Sequence, residues 1–338
     1  MRKIKRYVLL LFSVGILKAQ FFIPLPQNAF SKEFAFYQKS IRDNQIKRIT
    51  FEILDKKDFE IPVNKNLTEF YEFNPEGKVT KYYYTDVIKV IEKQIQMPAL
   101  YKRGRVVRRA YTDVFNQYVL DTIGTVFFYD ISGHLLMSRY HDGSGYYEAR
   151  YYAYDSLGYL LKENRYRETN QNLNKSLFVL GNQVLISTDS MNWIHYSEKQ
   201  SKAIYFNNEN RPYKELIQIS KDSLIREISE NYVSASWIRQ VKTFEYNDRR
   251  QMVKAVFKTN ANTNADLEIR YEYEYDEHGW LLNVRNYKNN QLLTETGYVN
   301  DYKANLVNSI VIRDFPNKSI RIIKLKYEYF DTLQVKRD

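Results

Sequence analysis

A seven-residue phrase returns along this chain: an aromatic residue, Asp or Asn, two variable residues, Gly, one variable residue and an aliphatic residue. Clean copies occupy residues 129–135, 154–160 and 275–281. Weaker copies begin at Phe73, Phe206, Tyr246 and Phe330. A phrase repeated along a chain indicates a repeated supersecondary unit, and that unit limits the fold more than any single segment does.

The phrase predicts a β-hairpin. Before the third clean copy, tyrosines alternate with acidic residues from Tyr271 to Asp276, which places the rings on one face of a strand and the carboxylates on the other. An Asp at the first turn position accepts hydrogen bonds from nearby backbone N–H groups, and a Gly three residues later can take the positive φ that ends the loop. The turn residues predicted to be structural are Asn74, Gly77, Asp130, Gly133, Asp155, Gly158, Asp276 and Gly279.

The weaker copies differ at the position that needs a positive φ. Asn210 tolerates that conformation better than most residues, whereas Arg250 is poorly suited to it, so the copy at Tyr246 is predicted to use another turn. The aromatic positions lie 25 to 56 residues apart, which implies one or two further strands between the marked hairpins.

With these phrases the chain resembles the YD-repeat (RHS-type) β-hairpin proteins, whose unit is an aromatic-x-Tyr-Asp-x-x-Gly-x-Leu hairpin. The matching stretches run from about Phe70 to the C-terminus. The resemblance implies an all-β fold, an extended or curled antiparallel sheet of repeated hairpins that serves as a shell, a spacer or an adhesive surface. Sugar binding is attached to some members. The copies here are longer and less regular than the usual repeats of that family. A single β-sandwich is the alternative fold.

The sequence divides into three predicted parts. Residues 1–19 have the basic start, the short apolar stretch and the small-residue exit of a signal peptide, with an uncleaved anchor as the alternative. Residues 20–69 are predicted to hold a linker, a short helix over Ser31–Asn44 and a first strand over Ile46–Leu54. Residues 70–338 form the repeat region, in which residues 189–200 are predicted to be a loop.

The amino-acid composition indicates the cellular compartment and excludes several kinds of chemical site. The chain has no cysteine, which excludes disulfides, thiolate metal sites and cysteine nucleophiles. An exported chain without disulfides suits a bacterial envelope, in the periplasm, at the cell surface or outside the cell. The 31 tyrosines suit a thin sheet with half-buried faces, because each ring can be covered while its hydroxyl stays paired or wet.

The net charge and its distribution indicate which partners the protein binds. Removing the five cations of residues 1–19 lowers the formal charge from +11 to +6, a modest excess. The densest basic stretch is Lys102–Arg109, predicted to be a solvated loop and strand edge, with a nucleic-acid or lipopolysaccharide patch as the alternative. Export argues against nucleic acid. We expect an envelope protein or a glycan as partner, and self-association through an exposed sheet edge.

No catalytic residue, metal ligand or cofactor is predicted. The four histidines lack metal-ligand spacing, and the acids of residues 272–276 are more simply a solvated sheet face. The ligand-binding candidates are aromatic, because exposed rings stack on sugars. They are Trp193, Trp237 and Trp280, with His134 and Tyr159, which occupy the same position after the turn glycine as Trp280 and would form a surface stripe. The alternative is that each ring packs against the sheet.

The sequence therefore predicts an exported, non-enzymatic β-repeat protein with a structural, adhesive or interaction role in the bacterial envelope. The first alternative is a carbohydrate-binding protein. A further one is an outer-membrane β-barrel, which the alternating strands would suit, although strands such as residues 217–230 carry charges too irregularly for a lipid-facing band. An enzyme whose residues meet only in the fold is the last alternative.

Overall fold

The computed structural model of the protein describes residues 21–27, 29–30, 34–143, 145–172, 177–260 and 267–331. The predicted signal peptide lies outside these residues. So do Ser31, the predicted start of the helix, and the end of the last, truncated copy of the phrase.

The described chain is almost entirely β-strand. Its elements are α1 (Gln38–Asp43), β1 (Ile46–Lys57), β2 (Thr68–Phe73), β3 (Val79–Met97), β4 (Leu100–Lys102), β5 (Arg105–Arg108), β6 (Tyr111–Tyr129), β7 (Leu135–His141), β8 (Tyr146–Tyr154), β9 (Leu160–Asn170), β10 (Leu180–Ser197), β11 (Gln200–Phe206), β12 (Pro212–Lys221), β13 (Leu224–Tyr232), β14 (Ala235–Tyr246), β15 (Met252–Asn260), β16 (Leu267–Tyr275), β17 (Leu281–Lys288), β18 (Gln291–Asp301), β19 (Leu306–Asp314) and β20 (Ser319–Tyr329). The all-β prediction is confirmed.

Two local predictions need correction. The helix is only the six residues of α1 within the described part, and β1 continues three residues beyond the predicted end of the first strand. The predicted loop over residues 189–200 is wrong, because β10 runs through to Ser197 and pairs with β9 and β11. Met191 is the one buried residue of β10, and the polar residues around it keep access to water.

The sheet closes on itself. Eighteen strands pair antiparallel with their neighbours, and β4 and β5 form a separate two-stranded hairpin. The last strand, β20, pairs with β1 from Ile46 opposite Tyr329 to Lys57 opposite Ser319, so the eighteen strands form a barrel. The predicted open or curled sheet is therefore wrong in this respect. An open sheet would leave two rows of unpaired backbone N–H and C=O groups, and β1 supplies the partner for the last strand. With β1 and β20 each paired on both sides, edge-to-edge self-association loses its basis at this seam.

The turn of the phrase is the same in six copies. The N–H of Asp130 donates to the carbonyl of His134 at 3.0 Å, and the N–H of Gly133 donates back to the carbonyl of Asp130 at 3.0 Å. The carboxylate of Asp130 also accepts the N–H of His134 at 2.8 Å. The equivalent pair of backbone bonds recurs at the Asp or Asn of five further copies, Asn74, Asp155, Asn207, Asn247 and Asp276.

The copy with arginine in the glycine position keeps this turn. Arg250 has a φ of 63°, and its N–H donates to the carbonyl of Asn247 at 2.9 Å. The prediction of another turn is therefore wrong. A left-handed conformation costs a non-glycine residue about 1–2 kcal/mol, and the turn bonds together with the flanking strands hold the chain in it.

In four copies of the phrase, the hydroxyl of its tyrosine ties the hairpin to the neighbouring strand. The hydroxyl of Tyr129 at the end of β6 donates to the carbonyl of Val79 at the start of β3, at 2.9 Å. We call this contact a tyrosine bridge. It recurs as Tyr154 to Leu135 at 3.0 Å, Tyr246 to Ile225 at 2.9 Å and Tyr275 to Met252 at 2.6 Å. Tyr327, three residues before the last copy of the phrase, makes the same contact with Val307 at 2.5 Å. All five bridges lie at one end of the barrel, here called the bridged rim. They give the hydroxyl of the four phrase tyrosines a structural role.

Ring contacts identify the inner face of the barrel. Tyr298 on β18 and Tyr71 on β2 are joined through Phe22 and Phe36 by three ring contacts of 5.5, 5.2 and 4.8 Å. Their strands lie four spacings apart, about 19 Å along the sheet. Side chains come closer together than their backbones only on a concave face. The face that carries Tyr71 and Tyr298 is therefore the inner one, and the N-terminal segment lies inside the barrel.

The N-terminal segment fills one half of the lumen. Phe21, Phe22 and Ile41 are buried, in one core with residues of β1, β2 and β14–β20. Strands β3 and β13 add partly buried apolar residues. No described residue of β6 to β12 belongs to this core. The inner wall of those strands is left uncovered by the segment.

The tyrosine bridge predicts a stability effect. Tyr129→Phe removes one hydrogen bond at a half-buried carbonyl and should lower the free energy of unfolding by about 1 kcal/mol, measured by urea denaturation. Tyr329→Phe is the matched control, because Tyr329 is 50% exposed on β20 and its hydroxyl has no hydrogen-bond partner among the described residues. Equal stability of the two variants would show that the bridge contributes nothing.

Candidate binding site in the barrel lumen

The uncovered inner wall carries charged side chains. On β8 and β9, Arg165 pairs with Glu148 at 2.5 Å, and Arg150 pairs with Glu148 at 2.9 Å and with Glu163 at 3.5 Å. Burial alone would raise the pKa of Glu148, but hydrogen bonds from Arg165 and Arg150 hold that pKa below its usual value. These groups stay partly accessible, so the wall is a hydrated polar surface.

Carboxylates and tyrosines meet beside this network. Glu163 on β9 lies directly opposite Asp189 on β10, so two carboxylates face the lumen side by side. Burial raises the pKa of Tyr205, and the negative charges of Glu230, Glu163 and Asp189 raise it further.

A second tyrosine and a lysine complete the group. Burial raises the pKa of Tyr213 well above its ordinary value, and a hydrogen bond between its hydroxyl and Asp189 adds to the shift. The Lys214 ammonium lies over the Tyr205 ring, 4.0 Å from its centroid. Lys242 binds Glu230 at 3.0 Å. We call this group the lumenal cluster; it comprises Glu163, Asp189, Tyr205, Tyr213, Lys214 and Glu230.

Aromatic rings border the cluster at the bridged rim. The ring centroids of Tyr159 and Trp193 are 5.4 Å apart, and those of Tyr159 and His195 are 4.7 Å apart. The indole N–H of Trp193 donates to the carbonyl of Leu160 at 2.9 Å, so Trp193 makes the contact that a tyrosine makes at the five bridges. Its N–H is used by the fold, while the ring remains half-buried.

The lumenal cluster offers acceptors, donors and ring faces on one rigid wall. Carboxylates accept hydrogen bonds, phenol hydroxyls both donate and accept, and the ammonium donates. This mixture suits a neutral ligand that carries many hydroxyl groups. Among the residues that the structure describes, no three His, Asp or Glu side chains are placed to hold a metal ion.

The five predicted ligand residues do not form a stripe. Tyr159 and Trp193 come together. Trp280 is 1% exposed, with its ring 5.7 Å from that of Tyr302, so the prediction of an exposed ring is wrong for this residue. His134 stacks on Tyr154 at 4.9 Å. Trp237 is 58% exposed and lies on the outer face, by its alternation with Arg239.

The residue at the position after the turn glycine contacts a neighbouring element of the barrel. The rings of His134 and Trp280 pack on tyrosines of neighbouring elements, and Lys78 donates from Nζ to the carbonyl of Gly133 at 2.6 Å in the next hairpin. Gln251 does the same to Gly279 at 2.7 Å. A ring that is exposed in a single hairpin is covered by the adjoining one, which the sequence does not reveal.

The outer face is strongly charged. On β16 the four successive outward positions are Glu268, Arg270, Glu272 and Glu274, which span about 20 Å along the strand. Ion pairs continue around the barrel, for example from Arg285 to Glu274 at 3.2 Å and to Glu295 at 3.0 Å. A lipid-facing barrel needs an apolar outer band about 25 Å tall. No described helix is long and apolar enough to cross a membrane.

Comparison with known proteins shows no family. No family model and no curated protein matches the chain. A porin-like protein from Bacteroides uniformis ATCC 8492 is 10% identical, with a TM-score of 0.36 over 84% of this chain and 98% of that one. Two TcdB2–TccC3 structures are 8% and 9% identical, each with a TM-score of 0.11 over 78% of this chain and 21% of theirs. Scores this low carry no argument about the present chain.

The closed barrel decides between predicted architectures. It fits the outer-membrane barrel alternative better than the open sheet of the main prediction, and it is not a two-sheet sandwich.

The facing carboxylates predict a stabilising substitution. Like charges directly opposite each other destabilise a sheet, so Asp189→Asn should raise the free energy of unfolding by up to about 1 kcal/mol. Glu215→Gln is the matched control. It breaks an ion pair with Lys202 of 2.8 Å on the outer face and should not stabilise the protein. Thermal denaturation compares the two. A less stable Asp189→Asn variant would mean that the pair is not repulsive.

Proposed function

We propose that the protein is an exported, non-enzymatic β-barrel of the bacterial envelope that stands in the aqueous phase and binds a neutral, hydroxyl-rich ligand, such as a glycan or polyol, in its lumen. The observation that carries the proposal is the lumenal cluster, a polar wall with acidic and phenolic groups that the N-terminal segment leaves uncovered. Binding sites place a few convergent polar groups in a concave surface, and this wall has that form.

The outer face supports the aqueous location. An Arg or Lys at the middle of a bilayer costs a membrane barrel about 2–4 kcal/mol, and acidic residues cost less. In a membrane-spanning barrel, the charged residues of β16 and the ion pairs of Arg285 would all have to lie in the hydrocarbon core of the bilayer. In water the same residues make the barrel soluble.

A barrel that spans the outer membrane is the second candidate. Closure and an even number of antiparallel strands favour it, since open sheet edges do not occur in lipid and bacterial membrane barrels have these properties. It has the same polar lumen as the first candidate, but its outer face would lie in lipid and not in water.

We also propose that the chain is related to the YD-repeat proteins. The six equal turns and the five tyrosine bridges support this, because they give a physical reason for the aromatic, the Asp and the Gly of the phrase. A barrel closed from such repeats suits a shell around a ligand better than it suits an adhesive surface, because closure leaves no long open face of the sheet.

The location is tested by fractionation of cells that express the full chain. The aqueous barrel should be released without detergent by an alkaline carbonate wash and should remain folded and monodisperse. Retention in the pellet until detergent is added would favour the membrane-spanning barrel.

Ligand binding is tested with the purified mature chain, residues 20–338, on a glycan array. We expect saturable binding to one glycan class. Asp189→Asn combined with Tyr205→Phe should weaken it about tenfold or more, because two hydrogen bonds to the ligand are altered or lost. Trp237→Ala, on the outer face, is the matched control and should bind as the parent does. Loss of binding in the control alone would place the site outside the lumen.

A further inference from the structure

A two-stranded arm leaves the barrel at the end opposite the bridged rim. Strands β3 and β6 pair with each other up to Met97 opposite Tyr111. Their pairing with β2 and β7 ends much earlier, at Tyr84 and Gly124. From those residues to the tip, no other strand of the described chain pairs with β3 or β6, and the part beyond Ile91 and Gln117 is counted here as the arm. The arm therefore extends at least about 20 Å past the sheet.

The arm ends in the small hairpin of β4 and β5. Its two-residue turn is Arg103–Gly104, with φ values of 49° and 74°, as a type I′ turn requires. Tyr101 pairs with Val106, and Lys102 pairs with Arg105. Because cross-strand partners share a face and successive residues alternate, Tyr101 and Val106 lie on one face of the tip, and Lys102 and Arg105 lie on the other.

Charge is concentrated at this tip. Residues 93–112 contain six cations, Lys93, Lys102, Arg103, Arg105, Arg108 and Arg109, and no acidic residue. The ion pairs of the outer wall do not extend here, since none of the six makes a salt bridge with a described side chain. Arg108 lies over the Tyr111 ring, 5.0 Å from its centroid.

The tip also exposes apolar groups. Tyr101 is 64% exposed, Val107 60%, Val106 55% and Leu100 53%. An isolated two-stranded hairpin is marginally stable in water, so this hairpin gains from a partner that covers its exposed apolar groups. A partner of opposite charge would also pair with the cations beside them.

We propose that the arm tip docks the barrel onto an anionic lipid surface. Cationic residues next to a membrane are attracted by anionic headgroups, while exposed Tyr, Leu and Val side chains enter the boundary between headgroups and acyl chains. The adjacency of apolar and cationic residues favours lipid over nucleic acid, whose backbone offers only charge to Leu100, Val106 and Val107. Through the arm, the barrel meets the membrane at its end and keeps its charged wall in water.

Vesicle co-sedimentation of the purified chain, residues 20–338, tests the proposal. The vesicles are phosphatidylcholine alone, or phosphatidylcholine with one third phosphatidylglycerol. We expect binding to the anionic vesicles only, weakened by salt. Replacing three tip cations with Gln (Lys102→Gln, Arg105→Gln, Arg108→Gln) should weaken binding roughly 100-fold. The matched control replaces three exposed lysines elsewhere (Lys47→Gln, Lys199→Gln, Lys221→Gln) and should bind nearly as the parent does.

A second variant separates lipid from other polyanions. Tyr101→Ser with Val106→Ser keeps every charge and should weaken vesicle binding about tenfold or more, because the inserted apolar area is lost. Circular dichroism checks that each variant is folded. Equal loss in the tip and control charge variants, unchanged vesicle binding in the serine variant, or stronger binding to a DNA oligonucleotide than to anionic vesicles would each overturn the proposal.

Discussion

Closure of the sheet between β1 and β20 is the constraint on which the rest of the structure depends. Once the ring is closed, successive residues of a strand within the barrel face the lumen and the outside in turn, and β1 and β20 have a partner on both sides. The seam is reinforced on the inner face, where Phe51 lies opposite Leu325 and Arg321 binds Asp55 at 2.8 Å. Hydrogen bonds from Arg321 and Lys65 offset the burial of Asp55 and lower its pKa.

The N-terminal segment fills only one half of the barrel lumen, and the candidate site lies on the wall of the other half. Apolar side chains of the N-terminal segment pack against one half of the inner wall, with Phe21 and Phe22 buried. The opposite half keeps charged and phenolic groups in contact with water. One sheet thus provides both a packed core and a polar wall, and five tyrosine bridges along one rim each join two neighbouring strands.

Local chemistry was predictable and long-range pairing was not. The turns follow from Asp130 and Gly133 and their equivalents, because the bonds involved span four residues. Closure joins residues such as Asp55 and Arg321, 266 positions apart, in strands that lack the turn phrase. The site was missed for the same reason. Glu163 and Asp189 meet only through the register of β9 and β10, and the polar surroundings of Asp189 resemble a loop.

The most direct test of the account is the distance across the seam. The chain has no cysteine, so Thr50→Cys and Lys326→Cys would introduce two unique sites for nitroxide labels, at positions that face each other on β1 and β20. In the closed barrel their Cα atoms lie about 5 Å apart, and dipolar spectroscopy should report a separation below about 20 Å once the label arms are included. In an open sheet of eighteen strands the same labels would be about 80 Å apart, and a broad, long distance would contradict closure and the lumen that depends on it.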